Sequence, residues 1–451
     1  MTPSEGKTCR TITVQALARV EGEGGLTIRL RDGQVEGVEL RIYEPPRFYE
    51  AFLRGRDARE VPDITARICG ICPVAYQMSS VHAVEKIYGV TMPPELRLLR
   101  RLLYCGEWIE SHTLHMYMLH APDFLGYESA IAMAQASPDL AQVVRRGLAM
   151  KKAGNRIVQV VGGREVHPIN VRLGGFYRAP RRDELTALVD ELRQGRDAAA
   201  ETVRWAANLP FPDFTHDYEF VALRHPDEYP MNEGRLVSNR GLDIAQEEYP
   251  GHFEEYQVPH SNALQARRRV ASATAAPAAQ GTGVGAYFAG PLARWNLNAD
   301  RAPPLVQQAA ADSGISFPNQ NPFISIVARA LEVLLAFDEA LRLIDQYEPP
   351  AKSAVDFEPR AGVGQAITEA PRGILYHRYE TDAAGMIRQA TIIPPTSQNQ
   401  MQMEHDLLRA APRLAALPEP EAALEAEKVI RNYDPCISCA THFLKLRVER
   451  G

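Results

Sequence analysis

Two C-x-x-C pairs at opposite ends of the sequence constrain this chain more than any other feature. Cys69 and Cys72 form the first pair, Cys436 and Cys439 form the second, and 364 residues separate position 72 from position 436. The turn of a C-x-x-C motif directs two sulfurs at one centre. Four thiolates favour zinc, Cu(I), iron–sulfur or another thiophilic metal over magnesium or calcium. The pairing predicts a fold that brings both ends of the chain to one site.

A structural zinc site is the interpretation that two isolated C-x-x-C motifs would favour. Zinc ribbons, however, keep their two pairs within one small module, about 15–20 residues apart. The separation of 364 residues is far larger. Positioning a site from both chain ends is costly, which favours a catalytic centre over a structural staple.

Composition excludes several other classes of protein. Six cysteines among 451 residues are too few for a disulfide framework and indicate a reduced, intracellular protein. The net charge of −6 argues against a nucleic-acid-binding surface. No apolar run approaches the roughly 18–20 residues that span a bilayer. Residues 1–21 lack the apolar core of a secretory signal. We therefore expect no nucleic-acid partner and no membrane span.

Hydrophobic periodicity predicts an α+β, mostly helical fold: a long central helix bundle with small β regions from the N-terminal and C-terminal parts of the chain. Alternating residues in 11–43 and in 360–393 predict strands, short strands are expected in 217–257, and residues 271–283 read as a loop. Four long helical patterns are present: Pro94–His120, Leu140–Val161, Asp183–Asn208 and Pro322–Tyr347.

We expect one domain over residues 1–451, because no clean linker divides the sequence. Within it we distinguish four parts by composition. These are an N-terminal β region (1–60), a mainly helical core (61–350), a β region with the C-terminal metal motif (351–442) and a tail (443–451).

Several sequence motifs besides the cysteine pairs indicate the class of protein. RICGICP and DPCISCATH contain the two pairs, and five further motifs lie between or before them: RVEGEG (Arg19–Gly24), GGREVHP (Gly162–Pro168), YFAGPLAR (Tyr287–Arg294), EAPRG (Glu369–Gly373) and PPTSQN (Pro394–Asn399). Together and in this order they resemble the large, catalytic subunit of nickel–iron hydrogenases. The short RICGICPVAYQM form and the SCATHFLKL ending resemble the cytosolic, NADP-linked sulfhydrogenase branch.

The resemblance implies a nickel–iron centre. Cys69 and Cys436 would be terminal nickel ligands, and Cys72 and Cys439 would bridge nickel to iron. The iron of the family carries CO and cyanide ligands. The residues expected to line these ligands are Pro371, Thr396 and Ser397.

The resemblance also implies roles for charged residues. Glu21 matches the first proton acceptor of the family, a suitable role for a carboxylate within reach of a thiolate. Taken alone, Glu21 would more often end a surface turn, and Glu23 and Asp32 stay open as alternatives. Arg372 matches a guanidinium beside the open metal position, and Asp434 is its expected carboxylate partner.

A second metal and a maturation step follow from the C-terminal motif. Glu50, His442 and the backbone carbonyl of Ile392 resemble the ligands of a structural magnesium ion. In the family a maturation protease cuts just behind the histidine, so residues 443–451 are expected to be absent from active enzyme. Read without the family, the tail would be a short edge strand or a frayed terminus.

Two positions depart from the family pattern. Tyr76 stands where many members have a histidine that hydrogen-bonds a bridging sulfur, which puts that contact in doubt. Ser111, beside Glu110, stands where uptake-type members have an aspartate. Three histidines of the same helical pattern are expected to pack in the core or at a subunit interface: His112, His115 and His120.

The expected function is reversible, heterolytic cleavage of H2 into protons and electrons. With four of six cysteines used at the centre, no pattern for an iron–sulfur cluster remains. Electrons would leave through an iron–sulfur small subunit and then diaphorase subunits that bind FAD and NAD(P), in the cytoplasm. The alternatives are a non-catalytic scaffold related to the quinone-binding subunit of respiratory complex I and a zinc-stapled interaction protein. Metal content separates the three.

Overall fold

The structure, a computed structural model, describes residues 9–32, 34–269 and 284–442. Helices dominate these residues and small sheets flank them, so the predicted α+β, mostly helical class is confirmed. The helices are α1 Tyr49–Leu53, α2 Val61–Thr65, α3 Pro73–Tyr88, α4 Pro94–Leu114, α5 Ala121–Leu125, α6 Ala130–Ala136, α7 Pro138–Gly162, α8 Arg182–Thr186, α9 Val189–Ala207, α10 Tyr249–His252, α11 Pro291–Asn298, α12 Pro304–Asp312, α13 Ser325–Gln346, α14 Pro395–Ala415 and α15 Glu419–Arg431.

The strands form small antiparallel sheets in the order β1-β2-β3, β6-β7-β8 and β11-β12-β13, with two-stranded ribbons β4-β5 and β9-β10. Their bounds are β1 Cys9–Val14, β2 Gly24–Arg31, β3 Gln34–Ile42, β4 Val171–Arg172, β5 Gly175–Phe176, β6 Val221–Arg224, β7 Arg235–Ser238, β8 Asp243–Ile244, β9 Phe253–Gln257, β10 Leu264–Arg268, β11 Gly362–Ala370, β12 Gly373–Thr381 and β13 Ile387–Ile393.

The long helix α4 lies in the core because glycines let its neighbour approach closely. A Cβ atom on Gly106 of α4 would lie 3.0 Å from the carbonyl oxygen of Gly154, and one on Gly154 of α7 would lie 2.7 Å from that of Gly106. Helix α13 packs on α4 and on α9. The description of these helices as a central bundle, and the division of the domain into four parts, stay predictions.

Local hydrogen bonds explain where the predicted helices and the observed ones differ. The pattern Asp183–Asn208 was expected to form one helix, but it is two, because the Leu188 N–H bonds the Leu185 carbonyl (3.0 Å) in a tighter turn. Helix α4 continues as a π-helical turn over His115–His120. The predicted loop 271–283 and the tail 443–451 lie outside the described residues.

Five segments converge near the cysteines. They are the loop between β1 and β2, the N-terminus of α3, the turn between β11 and β12, the N-terminus of α14 and the segment after α15. Both ends of the chain therefore meet in one core, as the cysteine spacing requires. None of the described helices combines the length and apolar character needed to cross a membrane.

Candidate active site

The first cysteine pair forms a tight turn at the start of α3. The backbone N–H groups of Ile71 and Cys72 donate to Cys69 Sγ at 3.3 and 3.1 Å. Cys72 is the N-cap of α3, and Pro73 follows it in the first helical turn. Proline fits this position because backbone N–H groups in the first turn have no acceptor within the helix. The turn therefore fixes two sulfurs at a helix N-terminus, where the helix dipole stabilises negative charge.

The second pair lies in a short turn that begins after α15. Asp434 adopts a left-handed backbone conformation (φ 52°), which redirects the chain toward the first pair. The Cys436 N–H donates to the Thr396 hydroxyl oxygen at 3.0 Å, and the Cys439 N–H donates to the Cys436 carbonyl at 3.2 Å. These bonds fix the second two sulfurs against the N-terminus of α14.

The four sulfurs form one buried cluster. The Sγ–Sγ distances are 2.9 Å between Cys69 and Cys72, 3.6 Å between Cys69 and Cys436, and 2.6 Å between Cys436 and Cys439. The sulfurs of Cys69, Cys72 and Cys439 all lie within 4.8 Å of one another. Each cysteine is at most 4% exposed. This all-sulfur donor set fits a centre of thiophilic transition metals, and any thiolate has lone pairs enough to bind two metals at once.

The cluster has an uneven affinity for protons. Burial opposes ionisation of Cys69, but hydrogen bonds with the other thiols and the charge of Arg372 lower its pKa well below the usual range. Burial raises the pKa of Cys436 well above that range. Without metal, the four sulfurs share protons, and a bound cation would favour their release.

Glu21 contacts this cluster directly. The Cys436 thiol donates to Glu21 Oε2 at 2.9 Å, and the Ser438 N–H donates to the same oxygen at 3.2 Å. The Ile437 N–H donates to the Glu21 carbonyl at 2.9 Å. A short bridge thus binds the N-terminal loop to the second cysteine pair, and it places a carboxylate within proton-transfer distance of a sulfur.

The two alternatives to Glu21 lie elsewhere. Glu23 is exposed, and its backbone N–H faces Glu44 Oε2 at 3.3 Å. Asp32 is exposed and lies beyond the far end of β2. Of these three carboxylates, Glu21 is therefore the one in position to exchange a proton with the cluster.

Arg372 and Asp434 form a buried pair beside the sulfurs. Arg372 Nε donates to the Asp434 carbonyl oxygen at 2.7 Å and lies 3.1 Å from Asp434 Oδ2, while Nη2 donates to Oδ1 at 3.3 Å. Burial disfavours the charge of Arg372, yet Asp434 and the thiols raise its pKa above the usual range. Among the described residues its Nη1 has no hydrogen-bond partner. The guanidinium is therefore a fixed cation with one donor group unused.

The three residues expected to line the iron ligands lie close to this pair. Pro371 immediately precedes Arg372, and Thr396 and Ser397 lie in the first turn of α14, where both are buried. Because the Thr396 oxygen accepts the Cys436 N–H, the hydroxyl proton stays available for a second acceptor.

The predicted magnesium ligands also meet. The Ile392 N–H donates to Glu50 Oε1 at 2.7 Å, and His442 Nε2 lies 3.7 Å from the same oxygen. His442 Nε2 also hydrogen-bonds the Ile392 carbonyl, while Nδ1 contacts the Cys439 carbonyl at 2.6 Å. A carboxylate, a carbonyl and an imidazole are compatible with a magnesium ion that keeps several waters.

The two departures from the family pattern are both buried. Tyr76 is 1% exposed, its ring centroid lies 5.7 Å from that of His377, and its hydroxyl has no hydrogen-bond partner among the described residues. Burial and the four thiols raise its pKa well above the usual range, so it is a neutral donor. Ser111 is likewise without a side-chain partner there. Burial raises the pKa of the adjacent Glu110 to about 8.

The three histidines of the α4 region lie in the core. His112 Nε2 is 3.0 Å from Glu332 Oε2, and His115 Nε2 bonds the Arg431 carbonyl at 2.8 Å. His120 is fully buried. These contacts are those of packed core residues, one of the two roles expected of them.

Sequence reasoning missed the residue that joins the two cysteine turns. Arg47 donates from its guanidinium to the Ile68 carbonyl at 2.7 Å and to the Ser438 carbonyl, and its backbone N–H bonds the Thr441 carbonyl at 2.5 Å. Nearby, Glu44 Oε2 accepts the Ser438 hydroxyl at 2.9 Å. No local motif distinguishes either residue from a surface charge.

Glu107 was missed for the same reason. Its carboxylate accepts the N–H groups of Val74 and Ala75 at 2.6 and 3.0 Å and so caps the first turn of α3 from α4. Burial raises its pKa well above the usual range. Glu107 therefore fixes the helix end that carries Cys72.

The fold and this site are those of a metalloprotein, because four buried sulfurs converge as a donor set for thiophilic metals. The family model described as nickel-dependent hydrogenase matches residues 47–147 and 275–442. The chain belongs to this family, and it is a hydrogenase catalytic subunit with a nickel–iron centre.

Individual relatives agree with this assignment along nearly the whole chain. Sulfhydrogenase 1 subunit alpha of Pyrococcus furiosus is 31% identical over 439 residues, 96% of this chain and 98% of that one. The NAD-reducing hydrogenase HoxS subunit beta of Cupriavidus necator is 27% identical and covers 96% of this chain and 95% of its own. A crystal structure of an NAD+-reducing [NiFe]-hydrogenase in the H2-reduced state superposes with a TM-score of 0.86 at 26% identity, covering 97% of this chain and 100% of that one.

Neither alternative function is favoured. A scaffold without metal would not need four cysteines that converge in a buried cluster. A zinc staple would not explain the match of the whole chain to hydrogenases.

Proposed function

We propose that this chain cleaves H2 heterolytically and reversibly at a nickel–iron centre on Cys69, Cys72, Cys436 and Cys439. The observation that carries the proposal is the convergence of the four buried sulfurs beside Glu21, whose carboxylate lies 2.9 Å from Cys436 Sγ. When bound, the centre supplies the place where H2 is polarised and the acceptor for its two electrons. The chain supplies the ligands, a buried environment, a fixed cation and a proton acceptor.

The proton path begins at Cys436. Its thiol already donates to Glu21, so a proton released to this sulfur passes to the carboxylate without rearrangement of the backbone. The Ser438 N–H donates to the same carboxylate oxygen at 3.2 Å and so holds it facing Cys436. Glu21 therefore acts as the first general base.

Arg372 provides positive charge at the reacting position. Asp434 holds the guanidinium through Nε and Nη2, and Nη1 has no hydrogen-bond partner among the described residues. A charge fixed in a buried site needs no reorganisation when H2 becomes polarised. Pro371, Thr396 and Ser397 would line the part of the site that takes the iron with its CO and cyanide ligands, and Cys72 and Cys439 would supply the thiolates shared by the two metals.

A magnesium ion at Glu50, the Ile392 carbonyl and His442 is the second metal that we propose. Replacing Glu50 by glutamine should weaken it, because the amide keeps the shape but loses the negative charge that a hard cation prefers. At free Mg2+ a hundred times above Kd, such binding adds about 2.7 kcal/mol of stability. EDTA should therefore lower the melting temperature of the parent protein and leave that of E50Q nearly unchanged.

The matched control is Glu60→Gln, which removes an exposed carboxylate of the same region (Arg56–Glu60, 3.7 Å). This variant should respond to EDTA as the parent does. An equal EDTA response in E50Q would show that Glu50 does not hold the ion.

Electron transfer requires partners. As a large subunit the chain works with a small subunit, which we propose to be the iron–sulfur protein that receives the electrons. Support comes from cysteine use: apart from the cluster, only the exposed Cys9 and the buried Cys105 are available. Because relatives include an NAD-reducing enzyme and sulfhydrogenases, we propose diaphorase subunits with FAD and NAD(P) as the next step. We also propose that the protein works in the cytoplasm and that a maturation protease removes residues 443–451.

Infrared spectroscopy of the complex, purified anaerobically from its own host, tests the proposed centre. Sharp bands in the CO and cyanide stretching region, with nickel and iron in the same sample, are the expected result, because only such ligands absorb there. Bound zinc and no such bands would contradict the proposal. Intact mass separates a third case, the unprocessed precursor, which would contain residues 443–451 and no nickel.

A further inference from the structure

The turn that carries Arg372 is unusual in being buried. Ala370 pairs with Gly373 across β11 and β12, so Pro371 and Arg372 alone form the loop of a two-residue hairpin. Hairpin loops normally lie at the surface, where water satisfies their carbonyl groups. Here Arg372 is 3% exposed and Ala370 is 1% exposed. The carbonyls of this loop therefore need donors from the protein.

Arg294 of α11 supplies donors to two carbonyls of the turn, those of Ala370 and Pro371. Its Nη1 donates to the Ala370 carbonyl at 2.8 Å, and its Nη2 donates to the Pro371 carbonyl at 2.9 Å. Nε and Nη2 donate to the two carboxylate oxygens of Glu332, each at 2.7 Å, and Nη1 also donates to Glu369 Oε2 at 3.0 Å. All five N–H groups of the guanidinium thus have an acceptor.

Glu332 fixes the orientation of Arg294. Burial opposes the ionisation of Glu332, but Arg294 and His112 lower its pKa to about 2, so the pair is ionic. The Tyr229 hydroxyl also donates to Glu332, at 2.8 Å. On its other side the guanidinium carbon lies 4.5 Å from the ring centroid of Trp108. These contacts leave the side chain of Arg294 a single arrangement.

The beginning of α11 contacts the same turn. Gly290, the N-cap of α11, has φ 122°, and a Cβ atom there would lie 2.9 Å from the Arg372 carbonyl oxygen. One helix therefore reaches the turn twice, through the backbone at Gly290 and through the guanidinium of Arg294. A change of position of α11 would be transmitted to Arg372.

We propose that Arg294 is a positioning residue that holds the Pro371–Arg372 turn so that the Arg372 guanidinium stays against Asp434, beside the cysteine cluster. This role rests on the proposed function of Arg372 in hydrogen cleavage. Arg294 itself touches neither the sulfurs nor the free Nη1 of Arg372 in the contacts described above.

Arg294→Lys tests this role, because one ammonium group cannot satisfy two carbonyls and both oxygens of a carboxylate. The variant should keep its nickel and iron and lose about 10- to 100-fold in kcat, the size of effect that a displacement near 1 Å produces. Its crystal structure should show Arg372 displaced from Asp434. In an Arg372→Lys background, R294K should change kcat less than about twofold, since no positioned guanidinium remains.

The matched control is Arg100→Lys, which weakens another buried ion pair, that with Glu85, for which the described residues show no hydrogen bond to the turn. R100K should lower the melting temperature as R294K does and keep the parent kcat.

If R294K and R372K lower kcat independently, or if Arg372 does not move in the crystal, the positioning role is overturned. Parent-like turnover of R372K would instead remove the catalytic role of Arg372, and the crystal structure alone would then decide the positioning role. If R294K does not fold, Glu332→Gln takes its place in the same experiments.

Discussion

Replacing Cys69 by serine is expected to abolish H2 oxidation and nickel retention together. Cys69 Sγ lies 2.9 Å from Cys72 Sγ in its own pair and 3.6 Å from Cys436 Sγ in the second pair, so its loss removes a ligand that contacts both pairs. A serine oxygen is a hard donor that does not ionise near neutral pH, and it is a poor ligand for soft metals. Activity should fall below detection, and metal analysis of the purified variant should show little nickel.

Cys9→Ser and Cys105→Ala are the matched controls. Cys9 is exposed at the start of β1, and Cys105 is buried in α4 away from the other thiols. Both variants should keep their nickel and their turnover. A C69S protein that retained nickel and turned over H2 would refute the assignment of the cluster as the catalytic centre.

The cysteine cluster was accessible from the sequence because its chemistry is local. Each C-x-x-C turn is held by short-range backbone hydrogen bonds: the Cys72 N–H donates to Cys69 Sγ (3.1 Å), and the Cys439 N–H donates to the Cys436 carbonyl (3.2 Å). The soft donor set then narrows the choice of metal. The two pairs predicted that the chain ends meet but not which contacts join them, and the hydrogen bond from the Ile437 N–H to the Glu21 carbonyl is one of these contacts.

The residues that support the site were not accessible, because their role depends on distant partners. Arg47 joins the two cysteine turns, Glu107 caps α3, and Arg294 binds the Pro371–Arg372 turn. In the sequence each is one charged residue among many, and most such residues are solvated. Only burial and three-dimensional neighbours reveal that their donors and acceptors are committed to backbone groups.

In the fold, too, features set by the local sequence were predicted, and features set by individual hydrogen bonds or by packing between helices were not. Periodicity predicted the strands and the long helices, because it reflects which face each element buries. It did not predict the break at Leu188 or the π-helical turn over His115–His120, since both depend on individual hydrogen bonds within an otherwise helical pattern. The close contact of Gly106 with Gly154 also appears only when α4 and α7 pack.

The Glu21→Gln variant should keep the metal centre and lose most of the catalytic rate. The amide oxygen of glutamine can still accept the Ser438 N–H, so the loop should keep its position. It cannot take a proton from Cys436, whose thiol donates to Glu21 Oε2 in the parent. General base catalysis contributes about 10²- to 10⁴-fold. We therefore expect a fall in kcat of that size, with parent-like nickel and iron content and an unchanged KM for H2.

Glu23→Gln is the control that makes this result specific, because it removes an exposed carboxylate two residues away in the same loop. If Glu21 is the first proton acceptor, E23Q should turn over H2 at the parent rate, and exchange between D2 and solvent protons should slow only in E21Q. The exchange readout requires no net electron transfer, so an altered electron path through the small subunit would lower turnover but would not slow the exchange. Equal exchange rates in the two variants would mean that the proton leaves Cys436 by another route, although Glu21 is the carboxylate that contacts this sulfur.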